Sequence, residues 1–233
     1  MASSTALRTT LKLFLKKNPS LRIQGKWLFR PPIKFALSGL YFEGSSNKNL
    51  IHHMRWVIPL SRPVPVYCVG YGKKLYISEN RQIVEGHNSR LSDPISEHAA
   101  SLLDFSNQNY AVTFEKLFEK ELSSLLENSR ELSSNIDLVL KFNQEPKTLM
   151  VGWAKLLFGD FRAAKLLYQE SLDFSAKHNL TGYFKGIQEC LSVIETGNKA
   201  RIADYLHLIE EKHVDHFGLR EWWQPAPFPF EAQ

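Results

Sequence analysis

Two cysteines in 233 residues, Cys68 and Cys190, are too few for a disulfide framework or a thiolate metal site. Their scarcity fits a reducing compartment, and both read as buried thiols. No apolar run reaches the roughly 18 residues that a bilayer-spanning helix needs. Also missing are the local signatures of chemistry. No Ser/His/Asp or Cys/His arrangement has a recognisable context. Gly70-Tyr-Gly-Lys-Lys74 lacks the spacing and the Ser/Thr of a phosphate-binding loop and reads as a strand-ending turn. His52 and His53, adjacent in a predicted strand, point to opposite faces and cannot chelate one ion. His213-Val-Asp-His216, with His207 and Glu211 one or two turns earlier, has helical spacing for a metal but reads more simply as a polar helix end. The sequence therefore assigns no catalytic residue, no metal and no cofactor, and an enzyme is not the expected class.

The last absence is of one charge sign. Eight Lys or Arg precede the first acidic residue, Glu43, so the net charge of +5 belongs entirely to the front of the chain. Three readings compete for this segment. An acid-free, Ser/Thr-rich start resembles an organellar transit peptide. Alternatively, Leu7, Leu11, Phe14 and Leu15 recur at helical spacing behind an N-cap at Ser4 or Thr5, giving an amphipathic first helix. Its basic residues, Arg8, Lys12, Lys16, Lys17, Arg22, Lys26 and Arg30, would then hold nucleic-acid phosphates, gaining affinity by counterion release. The third reading is a solvated basic face. Cytoplasmic localisation is the expectation, with an organelle as the alternative.

What is present is a globular composition, 43% apolar and 12% aromatic, enough for one large or two small domains. Runs rich in β-branched and aromatic residues at 26–30, 33–43, 50–60, 64–70 and 74–78, separated by Pro or Gly/Ser/Asn clusters, predict an antiparallel sheet. In the third run, His52, Met54, Trp56 and Ile58 form the expected core face, opposite His53, Arg55 and Val57. Residues 81–92 are polar and read as a linker between an α/β domain at 1–80 and a helical domain at 93–221. Helices are expected from Asp93-Pro94 through Phe105, then at 109–127, 130–142, 147–158, 161–178, 181–195, 199–213 and 215–222. The fold class is α+β, an N-terminal helix and small antiparallel sheet followed by a helical array.

Within that array, Gly159-Asp-Phe-Arg-Ala-Ala-Lys-Leu-Leu-Tyr-Gln-Glu-Ser-Leu172 resembles the turn and second helix of a tetratricopeptide repeat. Gly152 falls at the small position of the first helix, Gly159 at the turn, Phe161 at the aromatic after it, Ala164 and Ser171 at the small positions of the second helix, and Tyr168 at its aromatic. Gly186 follows Gly152 by 34 residues and opens a second, weaker match over 179–213, whose partner helix is out of phase by several residues. The first-helix tryptophan and the final proline are absent, with Thr148 near the former place. The resemblance implies paired helices that bind another protein, with Gly152 and Ala164 at the close contact and Tyr168 and Tyr183 among the partner-facing aromatics.

The tail, Glu221-Trp-Trp-Gln-Pro-Ala-Pro-Phe-Pro-Phe230, interleaves aromatics with three prolines and favours an extended strap over 222–233. Trp222, Trp223, Phe228 and Phe230 either dock on the chain's own helices or anchor a partner. Two function classes follow: a non-catalytic adaptor or accessory subunit bound to another protein, or a nucleic-acid-associated subunit using the basic N-terminus. The composition also resembles small bacterial immunity or anti-phage accessory proteins.

Overall fold

The computed structural model describes residues 2–44, 51–63, 72–77, 83–86, 132, 136–137, 147–177 and 184–232. Helix α1 spans Ala2–Lys17. It begins before the expected caps, because nothing among Ala2, Ser3 and Ser4 opposes helical backbone, and Ser4 and Thr5 lie inside it. Leu11 and Phe14 are buried, while Arg8, Thr9, Lys12, Leu13, Lys16 and Lys17 are exposed. The helix ends where the Asn18 backbone N–H and its side-chain amide both donate to the Phe14 carbonyl at 3.0 Å, just ahead of Pro19.

Six strands follow in one sheet whose spatial order is the sequence order: β1 (Arg22–Gln24), β2 (Trp27–Phe29), β3 (Ala36–Gly44), β4 (Ile51–Pro59), β5 (Gly72–Ile77) and β6 (Ile83–Gly86). Pairing is antiparallel for β1–β2, β2–β3, β4–β5 and β5–β6. Gly25, at φ +58°, makes the tight reversal between β1 and β2. Gly39 is required for another reason. It stands opposite Phe29, and a Cβ there would sit 2.0 Å from the Leu28 carbonyl oxygen.

Several strand expectations change. β1 was not foreseen, since three residues are too few to show alternation. β6 lies inside the expected linker at 81–92, because pairing with β5 outweighs the polar flanks of Ile83 and Val84. Gly72, Lys73 and Lys74 open β5 rather than closing a strand, and they pair with Trp56, Arg55 and Met54. At the end of β4, Val57 and Ile58 are both buried, so the one-sided alternation expected there does not hold at these two positions. The expected strand at 64–70, Cys68, and the expected helices at 93–105 and 109–127 lie outside the described residues. Of the helix expected at 130–142, residues 132, 136 and 137 are helical, with Ile136 buried.

The helical part contains α2 (Lys147–Leu157), α3 (Phe161–Lys177), α4 (Phe184–Glu195) and α5 (Lys199–His216). Each packs on the next. No separate helix forms at 215–222, whose first two residues belong to α5. Instead α5 ends in a Schellman motif, with Gly218 at φ +64°, its N–H on the Asp215 carbonyl and the Leu219 N–H on the Val214 carbonyl. A short 3₁₀ turn at Pro229–Ala232 interrupts the expected extended strap.

The chain divides into two compact units that do not follow the expected boundary. One comprises Met1–Pro31, Ser38–Trp56 and Gly72–Arg130; the other comprises Pro32–Leu37, Val57–Tyr71 and Glu131–Gln233. The helical unit thus takes two stretches from the strand region, and their side chains line its interior. Ile33, Phe35, Leu37, Val57, Ile58 and Leu60 are buried, as are Trp153, Leu156, Tyr168, Ile187, Leu206 and Val214. Mixed α+β architecture with a helical C-terminal part is therefore established.

Candidate functional site

The first hairpin, α2–α3, closes through a three-residue turn whose geometry follows from its residues. Gly159 adopts φ +82° and donates to the Leu156 carbonyl, while the Asp160 N–H reaches the Lys155 carbonyl, together a Schellman closure of α2. Asp160 then caps α3: its Oδ1 accepts from the Ala163 N–H at 3.2 Å, and that bond holds the carboxyl below its ordinary range. Gly152 faces α3 closely. A Cβ there would lie 3.1 Å from the Tyr168 ring and 3.3 Å from the Leu167 Cβ. The nearest neighbours of Gly152 are thus Tyr168, at the aromatic position, and Leu167, and Ala164 is itself fully buried. Thr148, near the expected tryptophan position, shares a 3.1 Å hydroxyl hydrogen bond with Ser171.

The second hairpin, α4–α5, repeats the theme with one difference. Gly197, at φ +62°, makes the turn, and Asn198 caps α5 by accepting from the Arg201 N–H at 3.1 Å. The Tyr205 hydroxyl donates to the Gly186 carbonyl at 3.3 Å. Glycine of the first helix and tyrosine of the second therefore meet in both hairpins. Their sequence separation is 16 residues in the first and 19 in the second.

Three of the six aromatic residues expected to face a partner are interior. Tyr168 and Phe228 are 0% exposed and Phe230 is 1% exposed. Tyr168 is closed in by Gly152 of α2, and the two phenylalanines are interior because the tail docks on its own unit. Its start is pinned by a parallel bridge in which Ile33 donates to the Trp222 carbonyl at 2.9 Å and Gln224 donates to the Ile33 carbonyl at 2.8 Å. Phe228 packs 6.2 Å from Phe35 and stacks on His207 at 4.4 Å, while Phe230 meets Phe161 edge-on at 5.3 Å. Phe230 also rests on Gly159, where any Cβ would approach its own Cβ to 2.9 Å. Trp222 and Trp223 are half-buried, and the Arg220 guanidinium lies 5.4 Å over the Trp223 ring. Tyr183 lies outside the described residues.

The histidines and acids of α5 separate onto different partners. His213 Nδ1–H donates to the Leu60 carbonyl at 2.5 Å, and burial pushes its pKa down to about 4. The His216 ring meets Phe217 edge-on, and Glu211 approaches Arg220 at 3.9 Å. His207 turns away from Glu211 to Glu210 and Glu231. Among the described residues no group of three or more His, Cys, Asp or Glu is placed to hold a metal ion.

Residues that the sequence did not single out complete the interior. Ser61 accepts from the Trp153 indole N–H at 3.0 Å, and Arg62, nearly fully buried, donates to the Met150 sulfur at 3.7 Å. Nothing in the local pattern marks either, since both partners are remote in sequence. Burial raises the Cys190 thiol well above its ordinary value, which makes it an inert core residue.

Lys12 and Lys16 lie on the side of α1 away from Leu11 and Phe14, with Arg8 and Lys17 on its two flanks, and all four are exposed. Arg22 and Lys26 have local partners. Arg22 donates to the Pro19 and Leu21 carbonyls, Lys26 sits 5.7 Å over the Tyr41 ring, and Arg30 is half-buried. Comparison with family models, curated proteins and solved structures returns no match. The tetratricopeptide resemblance therefore rests on the residues of the sequence alone.

Proposed function

We propose that this chain is a non-catalytic binding subunit whose helical hairpins present a surface to another protein. The observation that carries the reading is the serial packing of α2, α3, α4 and α5 around an interior of small and aromatic residues, the way helical repeats build a recognition surface. Tyr168, Cys190 and His213, whose protonation is shifted by burial, are enclosed within that unit. Its outer surface carries exposed apolar side chains, above all Leu166 at 66% exposure on α3, with Leu208 on α5. The test uses affinity-tagged protein. Stoichiometric capture of one partner should drop at least tenfold for Leu166→Glu, with the thermal midpoint unchanged, as expected for loss of an apolar anchor. Equal capture by both proteins removes this surface from the proposal.

A second reading is favoured by α1, whose exposed Arg8, Lys12 and Lys16 stand in a stretch, residues 1–42, that contains no carboxylate. Under it the helix face holds the phosphate backbone of nucleic acid. Binding to an arbitrary duplex should then weaken steeply with salt, and Lys12→Glu/Lys16→Glu should flatten that dependence by about two contacts. Absence of binding at low salt removes this reading. No helix among the described residues is long and apolar enough to cross a membrane.

A further inference from the structure

The tail is fastened by a chain of polar groups as well as by two rings. His207 Nδ1 lies 3.0 Å from Glu210 Oε2, and His207 Nε2 lies 3.2 Å from Glu231 Oε2. A neutral imidazole has a single N–H, so it can satisfy one carboxylate while setting a lone pair against the other. Satisfying both needs one more proton, on the ring or on the Glu210 carboxyl. The same Glu231 Oε2 accepts the Phe228 backbone N–H at 2.6 Å, and the Phe228 ring stacks on the imidazole with 18° between planes. Glu210 is 1% exposed, and its Oε1 finds no hydrogen-bond partner among the described residues, so the imidazole is what neutralises it.

We propose that Glu210, His207 and Glu231 form a proton-dependent latch, which fastens the C-terminal segment from Phe228 to Ala232 onto α5 and lets go as pH rises. What the segment covers is apolar: Phe35, Phe161 and the seat at Gly159. The charged groups whose fields reach the imidazole are Glu210 from its own helix and Glu231 from the docked turn.

The direction of the response follows from the same contacts. The hydrogen bond to Glu210 raises the His207 pKa, and the Glu231 carboxylate, which arrives with the docked turn, raises it further. His207 binds its proton more tightly in the fastened state. The stabilisation is therefore complete below the ordinary histidine value of about 6.5 and is lost as pH climbs through the folded value. His213 works the other way and is already neutral in this window.

The experiment is NMR on the full chain, following the imidazole titration and the amide protection of Phe228 and Glu231 after correction for intrinsic exchange. His207 should titrate above about 6.5, and protection at the tail should fall roughly tenfold or more between pH 6 and pH 8.5, the size of one unit of differential proton affinity. Glu231→Gln should lower the His207 midpoint and strip most of the protection at pH 6. His207→Gln should leave tail protection flat across the range. A wild-type tail equally protected at both pH values, a His207 midpoint at or below the ordinary value, or an unchanged pH response in His207→Gln overturns the latch. Should His207→Gln fail to fold, Glu231→Gln at the half-exposed end of the cluster decides alone.

Discussion

The two helical hairpins solve one packing problem with different spacings. In α2–α3, Gly152 precedes its turn glycine by seven residues and Tyr168 follows that glycine by nine; in α4–α5 the corresponding intervals are eleven and eight. The four added residues in α4 are about one helical turn, so Gly186 keeps the same face toward its partner helix but sits farther from the hairpin's closed end. Tyrosine reaches it by its hydroxyl rather than by its ring. The difference teaches that the sequence repeat failed over residues 199–213 although the contact it encodes survived. It also has an electrostatic side. The Tyr205 hydroxyl has a carbonyl partner, whereas the Tyr168 hydroxyl, fully buried beside Cys190 and Tyr205, has none among the described residues.

Substitution at the glycines puts this comparison under the greatest strain. Gly152→Leu drives side-chain atoms into the Tyr168 ring and should cost about 1–3 kcal/mol in denaturant unfolding, while Gly186→Ala, near the start of α4 and half-buried, should change stability by well under 1 kcal/mol. Equal costs would mean that the two glycines do equivalent work. A smaller effect with opposite signs is expected at the tyrosines. Tyr205→Phe gives up a hydrogen bond and should lose about 0.5–1.5 kcal/mol; Tyr168→Phe removes an unpaired buried hydroxyl and should leave stability unchanged or raise it by about 1 kcal/mol. Destabilisation by Tyr168→Phe would reveal a partner for that hydroxyl and collapse the distinction.

Much of the architecture was legible because long periodic segments announce themselves. The cores of α1, β3, β4 and of all four described C-terminal helices fell within a few residues of expectation, fixed by apolar spacing and by the glycines and Asp160 at the turns. β1 and β6 were not, since strands of three and four residues are specified by their neighbours rather than by themselves. The mixed ownership of the helical unit was also hidden. No local signal says that Phe35 and Leu60 belong beside residues more than a hundred positions later. The polar cluster shows the same limit: helical spacing allowed His207 either Glu210 or Glu211, and the choice is made by burial and by Glu231 from the returning tail. The aromatic residues of that tail left self-docking and an interface both open, and Phe228 and Phe230 fill the molecule's own interior.

The hydrogen bond from the Trp153 indole to Ser61 spans 92 residues of sequence, and that from His213 to the Leu60 carbonyl spans 153. Helical repeats ordinarily assemble quickly, because each contact joins neighbours along the chain and little loop entropy is lost. Here the hairpins can form early and locally, but the interior is finished only when Pro32–Leu37 and Val57–Arg62 arrive from far upstream. The rate of reaching the native state is therefore set by long-range search, and this unit should refold on the slower timescale of a β-rich topology despite its helical content.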